Sequence, residues 1–408
     1  MNIIPSSEQD RSASIQQALD EMAQSGGGRV VLAAGHYRLD SSINVPTGVS
    51  LEGSWAAPHH GILAKGTVLM IYAGRGDETK APAIELAASS AVRNLTICYP
   101  SQKLDAIESF PWTIHGTGMH PTAENITLVN SYNGIAMERH ELHLIRNVFG
   151  CVLRRGILID GCTDIGRIEN VHFNPHYWHR SGHGGVPNDA QPNPDLAVAL
   201  YMQTHLEAFI FGRSDWQYVL NTFVFGAKIG YHFVDNGPGA CNGNFIGIGA
   251  DACRICLLLD KTQPMGIQIL NGEFVNLPLR PEDDDGNWTM IRTTENFKQN
   301  LQLTNCTFWG RTNRIVDLIG PGTVTMCQGN ARGWRDDGKD VPFVIHRGRF
   351  TLKDYNLAGK APHFNLHKNV ESAIIADNFC DVPLVITGEG RHKAILRDNQ
   401  VTAAEDGR

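Results

Sequence analysis

Imidazole, phenol, indole and guanidinium groups crowd into one short stretch, Asn174-Pro-His-Tyr-Trp-His-Arg-Ser-Gly-His-Gly-Gly. Between Arg139 and His183 lie six of the chain's 17 histidines: His140, His143, His172, His176, His179 and His183. The same window carries six arginines against four acids (Glu141, Asp160, Asp164, Glu169), although the whole chain has a net charge of −7. A locally basic region in an acidic chain suits an anionic substrate such as a uronic-acid glycan, because a guanidinium grips a carboxylate through two parallel hydrogen bonds. β-Elimination on such a glycan needs a base for the proton at C5, a cation on the carboxylate and a proton for the leaving oxygen. His176, Tyr177, His179 and Lys228 are the candidates for proton transfer. Arg180 is the candidate for the carboxylate, and Trp178 for stacking on a sugar. No HExxH or comparable spacing occurs, so no metal centre is expected.

Carboxylates offer a second chemistry. Glycoside hydrolysis uses two of them, about 5–5.5 Å apart for retention of configuration and about 6.5–9.5 Å apart for inversion. The candidates are Asp215 in Gly-Arg-Ser-Asp-Trp, Asp235 in Phe-Val-Asp-Asn, Asp251 in Ile-Gly-Ala-Asp-Ala and Glu273 in Asn-Gly-Glu-Phe. Trp216 beside Asp215 would stack on a sugar face. The acidic run Glu282-Asp-Asp-Asp285 offers oxygen ligands of the kind Ca²⁺ takes but lacks the alternating spacing of a calcium loop, and it reads as a solvated loop. No cofactor is expected.

The elements that would position these groups are short. Gly and Pro together make up 61 of 408 residues, about 15%, which implies many turns. Ser12 to Met22 reads as the one convincing helix, with Ser12 as its cap, apolar residues at 15, 19 and 22, and Gly26 to Gly28 closing it. Beyond it, strands of four to six residues alternate with turns. A unit Asn-x-x-apolar recurs at Asn94, Asn125, Asn170, Asn221, Asn242, Asn271 and Asn305, with looser copies at Asn147, Asp354, Asp377 and Asp398. The steps 125→147, 147→170, 221→242 and 377→398 are 22, 23, 21 and 21 residues; the step 170→221, at 51, needs an insertion or a skipped coil. A coil of about 22 residues holds three short strands and three turns, the rung of a parallel β-helix, whose apolar face is buried only by stacking. The fold class is therefore all-β, a single-stranded parallel β-helix. Its repeated Asn should form one hydrogen-bonded corner, with Phe173, Phe245, Phe274 and Phe308 stacked inside. Strand alternation should then put His172, Phe223, Asn244, Glu273 and Thr307 in one outward row, where His172 and Asn244 would touch substrate.

Asp10-Arg-Ser-Ala-Ser-Ile-Gln-Gln-Ala-Leu-Asp, Gly26-Gly-Gly-Arg-Val-Val-Leu, Ala34-Gly-His-Tyr-Arg-Leu and Ile43-Asn-Val-Pro-Thr-Gly-Val-Ser-Leu-Glu-Gly together resemble the opening of the pectate-lyase-like superfamily. The resemblance covers about 45 residues, and the rungs carry it onward. It implies a right-handed parallel β-helix capped by the N-terminal helix: a cap over 1–40 and a β-helix over 41–408, with a long inserted loop at about 174–204. It also implies carbohydrate chemistry, since its members include polysaccharide lyases, glycoside hydrolases related to family 28, uronate epimerases and phage tailspikes. Phe173-Asn-Pro-His176 resembles part of the mannuronan C5-epimerase motif, with Asn174 where that motif has Asp. The expected function is cleavage of glycosidic bonds in a polysaccharide or oligosaccharide, with the basic window tilting the choice toward a polysaccharide lyase. The alternatives are a hydrolase built on an Asp/Glu pair and a non-catalytic, tailspike-like glycan binder.

No run of apolar residues is long enough for a membrane span, and the net charge gives no reason for a nucleic-acid partner. A glycan partner, with homo-oligomers open, is the expectation. The polar opening residues lack a signal peptide, which points to the cytoplasm, or to secretion if a leader has been removed. The nine scattered Cys read as small buried hydrophobes.

Overall fold

A computed structural model describes residues 3–58, 65–334 and 340–402. The chain is mostly β, and every pairing between its named strands is parallel. Each strand bonds to the one reached a circuit later. Thr122 faces Leu144, which faces Arg167, steps of 22 and 23 residues. Three rows of strands run along the molecule. The first includes residues 122–124, 144–146, 167–169 and 218–220; the second includes 126–128, 148–150, 171–173 and 222–224; the third includes 135–137, 157–159, 209–211 and 231–233.

The corner between the first and second rows explains the Asn repeat. Asn94, Asn125, Asn147, Asn170, Asn221, Asn271 and Asn305 all have φ between 52° and 60°, as do Gln328, Asp354, Asp377 and Asp398. This left-handed conformation penalises a Cβ, and Asn and Asp tolerate it best after Gly. Side-chain amides bond from circuit to circuit: Asn125 Nδ2 donates to Asn94 Oδ1, Asn147 to Asn125 and Asn170 to Asn147, each at 2.8 Å. Asn242 corrects the expected ladder. It lies in the first row, donating to Gln263 Oε1 and accepting from Trp216 N–H, and the corner of its circuit is Gly247 (φ 64°). The register of Phe245 shifts accordingly. It faces Val219 and Ile269 in the first row, while Phe173, Val224, Ala250, Phe274 and Phe308 follow one another inside the second. All four Phe are buried, and the Phe274 and Phe308 rings stack at 5.2 Å.

Helix α1 spans Ser12–Gln24, two residues beyond the expected end, and buries Ile15 and Leu19. Ser12 is inside the first turn; Asp10 Oδ1 accepts from its N–H and its hydroxyl. The 51-residue step is an insertion, because the strand Arg167–Phe173 bonds directly to residues 218–224. The insertion holds two helices the sequence reading lacked: α2, His176–His179, and α3, Pro194–His205. Asn193 caps α3 by accepting from Leu196 N–H at 2.9 Å, and Pro194 occupies its first turn, a legible start signal. All nine Cys are free thiols, and every one but Cys327 is buried. No helix among the described residues is long and apolar enough to cross a membrane.

Candidate active site

Outward positions of the second row form a continuous register: Thr127, Phe149, His172, Phe223, Gly249, Glu273 and Thr307. At about 4.8 Å per circuit the stretch from Phe149 to Thr307 runs roughly 24 Å. Asn244 is not in it. It faces Tyr218 and Gln268 in the first row, a displacement that follows from the misplaced Asn242 corner. Gly249 takes its place, and a Cβ there would lie 2.8 Å from Phe223 Cδ2, so glycine is what lets the Phe223 ring lie beside Glu273's strand.

These residues open into a cleft of about 420 Å³ lined by Phe223, Gly249, Asp251, Glu273, Val275 and Trp309 among others. Two of the four candidate acids meet here. Asp251 stands two residues beyond Gly249, the register partner of Glu273 on the next circuit. One circuit across and two residues along the strand put the two carboxyl-bearing positions roughly 8 Å apart. Burial raises the Asp251 carboxyl above the usual range and the charge of Glu273 adds to the shift, against a lowering contribution from the Ala252 N–H. Glu273 is exposed, and its Oε1 accepts from the Trp309 indole N–H at 3.0 Å. Trp309, 40% exposed at the cleft edge, was missed in the sequence; it follows Phe308 by one residue, so alternation alone would have placed it outward.

An aromatic run leads to the cleft. Trp55 stacks on Phe149 with centroids 6.2 Å apart, Phe149 lies 6.2 Å from Tyr177, Tyr177 5.5 Å from His172, and His172 5.2 Å from Phe223. Trp55 and Phe149 were also missed, Trp55 because its indole reaches the row from a distant loop to donate to Thr127 Oγ1 at 2.8 Å.

The inserted loop meets the row at its Phe149–His172 end, where Tyr177 Oη lies 3.1 Å from His172 Nδ1. The other basic candidates are engaged within the loop. Asp195 gathers His179 (2.9 Å), Arg180 and His176 (3.7 Å). Arg180 therefore already holds a carboxylate of the protein's own. Trp178 is fully buried and donates to Gly184 O at 3.0 Å, so it packs instead of presenting a sugar platform. Lys228 is exposed, with its charge felt at His205 and Glu207.

The remaining acids lie elsewhere. Asp215 accepts from Arg213 and from Gln263, beside an exposed Trp216. Asp235 pairs with Lys261 in a separate cavity of about 550 Å³ that also holds His232 and Asp260. Hydrogen bonding from Lys261 holds the Asp235 carboxyl below its usual range. Within the acidic run, Asp283 pairs with Arg280 at 2.8 Å and Asp285 with Arg254.

No protein-family model matches the sequence, and no curated protein does. Solved structures do match. A variant tailspike protein of Escherichia coli bacteriophage HK620 in complex with a hexasaccharide aligns over 98% of this chain and 73% of its own, at TM-score 0.55 and 10% identity. The catalytic domain of a GH87 α-1,3-glucanase in complex with nigerose aligns over 98% and 70%, at TM-score 0.53 and 12% identity. At such identities the likeness is one of fold.

Proposed function

We propose that the chain is a right-handed parallel β-helix acting as a glycoside hydrolase, with Asp251 as general acid and Glu273 as general base. The observation that carries this reading is the Asp251–Glu273 pair in one cleft at the end of an aromatic row. Strand positions roughly 8 Å apart allow the two carboxyl groups to stand at the separation of about 6.5–9.5 Å that leaves room for a water, and so for inversion. Asp251, with its raised affinity for a proton, would protonate the glycosidic oxygen as the bond to the anomeric carbon breaks. Glu273 would take a proton from the water that attacks that carbon from the opposite face. Trp309, donating to Glu273, would aim the carboxylate. Phe223, His172, Phe149 and Trp55, which are part-exposed, would carry the adjoining sugars, since ring faces stack on the apolar faces of pyranoses. That both aligned structures contain bound oligosaccharides supports a glycan as the ligand.

Elimination by the inserted loop is the weaker alternative, because Asp195 occupies Arg180 and His179. The test is a panel of neutral and acidic polysaccharides assayed for new reducing ends. Asp251→Asn and Glu273→Gln should each lower turnover by about 10²–10⁴-fold, the usual contribution of a positioned acid or base, with the fold intact by circular dichroism. Near-normal turnover in both would reject the assignment.

A further inference from the structure

Three side chains of metal-ligand type converge away from the cleft. His140 is the last residue but one of the strand Thr122–Glu141, Cys162 ends the strand Leu144–Cys162, and the two are register partners on successive circuits. His143 lies on the turn between these strands. All three are buried, His140 at 3% exposure and the other two at zero. His140 Nε2 lies 2.6 Å from His143 Nδ1, and His143 Nδ1 lies 3.9 Å from Cys162 Sγ; the three ligand atoms fall within 4.8 Å of one another. Gly166 makes this possible, because a Cβ at 166 would sit 1.9 Å from His143 Cε1.

Hydrogen bonding leaves the cluster incomplete. Nδ1 of His140, on the side of the ring away from the 2.6 Å contact, is buried with no partner, so nothing in the protein fixes which ring nitrogen of His140 carries the proton. Two imidazoles and a thiol are also a ligand set that a borderline-soft cation prefers. With bonds of about 2.0–2.1 Å to nitrogen and about 2.3 Å to sulfur, tetrahedral ligand atoms stand roughly 3.3–3.8 Å apart. The 2.6 Å nitrogen pair is at hydrogen-bond distance and would open by about 0.7 Å to admit the ion, whereas the nitrogen–sulfur pair at 3.9 Å is already close to the needed spacing. A fourth oxygen is at hand in the Asp164 carbonyl, 3.0 Å from Cys162 Sγ. Gln217 stands behind His143, its amide nitrogen 3.4 Å from His143 Nε2; with Nδ1 on a metal that Nε2 carries the proton, so the amide must turn over to accept it through Oε1 and orient the ring.

We propose that His140, His143 and Cys162 bind one zinc ion, which fastens two successive circuits just ahead of the inserted loop. Binding releases the Cys162 proton to solvent, and the thiolate, the two neutral imidazoles and the Asp164 carbonyl or a water complete the shell. The site is independent of the proposed hydrolase centre.

The test uses tag-free full-length protein, stripped with a chelator and dialysed against Zn²⁺ or Co²⁺. The expected result is one zinc per chain by mass spectrometry, with a cobalt form showing thiolate-to-metal charge transfer in the near ultraviolet and intense tetrahedral bands in the visible. Cys162→Ser should remove the charge-transfer band and weaken zinc binding at least tenfold, while His120→Ala, an exposed histidine outside the cluster, should leave both unchanged. Should Cys162→Ser fail to fold, the wild-type cobalt spectrum decides alone. Substoichiometric zinc in the wild type, a cobalt spectrum without a thiolate band, or undiminished binding by folded Cys162→Ser would overturn the proposal.

Discussion

Asp251 and Glu273 share a cleft, but their surroundings differ. Asp251 is half-buried and holds its proton above the ordinary carboxylate range, whereas Glu273 faces solvent and receives an indole N–H. A carboxyl whose affinity for a proton is raised by burial suits the acid role that the proposed mechanism gives Asp251. The alkaline limb of the rate profile should therefore report Asp251. In Asp251→Asn that limb should vanish for an aryl glycoside, whose leaving group needs no proton, while a natural glycan stays uncleaved. An alkaline limb unchanged in the variant would assign the acid elsewhere. The sequence made both acids visible, but it favoured Asp215, beside Trp216, ahead of them. What separates them is which circuit each one faces, and that depends on register. The basic window misled for a related reason: His179 and Arg180 find their carboxylate in Asp195, 15 residues further along the chain from Arg180, which composition cannot reveal.

Among the elements, the Asn corner was legible because one backbone requirement repeats: a left-handed residue whose amide can bond both ways. Asn147 shows the size of it, with φ 53° and a 2.8 Å bond to each neighbouring circuit. Asn147→Ala loses both bonds and strains the backbone, and should cost about 3 kcal/mol in urea unfolding; Asn147→Gly keeps the backbone relaxed and should cost less. Equal losses would deny the left-handed corner its role. The register slipped at Asn242-Gly-Asn-Phe, a look-alike one strand early, because the true corner there is Gly247, which has no side chain to advertise it.

Two histidines on the third row tie carboxylates together. His115 lies between Glu85 and Glu138, and His232 between Glu207 and Asp260. Burial opposes the charge on each ring, but the flanking carboxylates outweigh it and push both up to about 9. A folded-state value above the unfolded value of about 6.5 means that the native state binds the extra proton, so this stability is full below about pH 6.5 and is lost as pH rises through about 9. The urea midpoint should fall across that interval, and the double variant His115→Gln/His232→Gln should fall less. A midpoint that rises with pH there would contradict the assignment.

At the scale of the molecule, the stacked circuits turn a short repeat into a long outward row, and the insertion then marks one end of it. Repetition made the stacking readable from Asn spacing alone. The insertion was readable only as a gap, since α2 and α3 obey their own caps and not the period. Under the proposed function, a row of this length would hold several sugars across Phe223 and bring the bond to be cut to Asp251 and Glu273. Proton NMR of the first products from a cleaved polysaccharide tests this most directly, because it reads the anomeric configuration before mutarotation. The proposed acid and base roles, with room for a water between them, predict new reducing ends of inverted configuration, abolished in Glu273→Gln. Retained configuration, or an unsaturated uronate at the new non-reducing end, would contradict it.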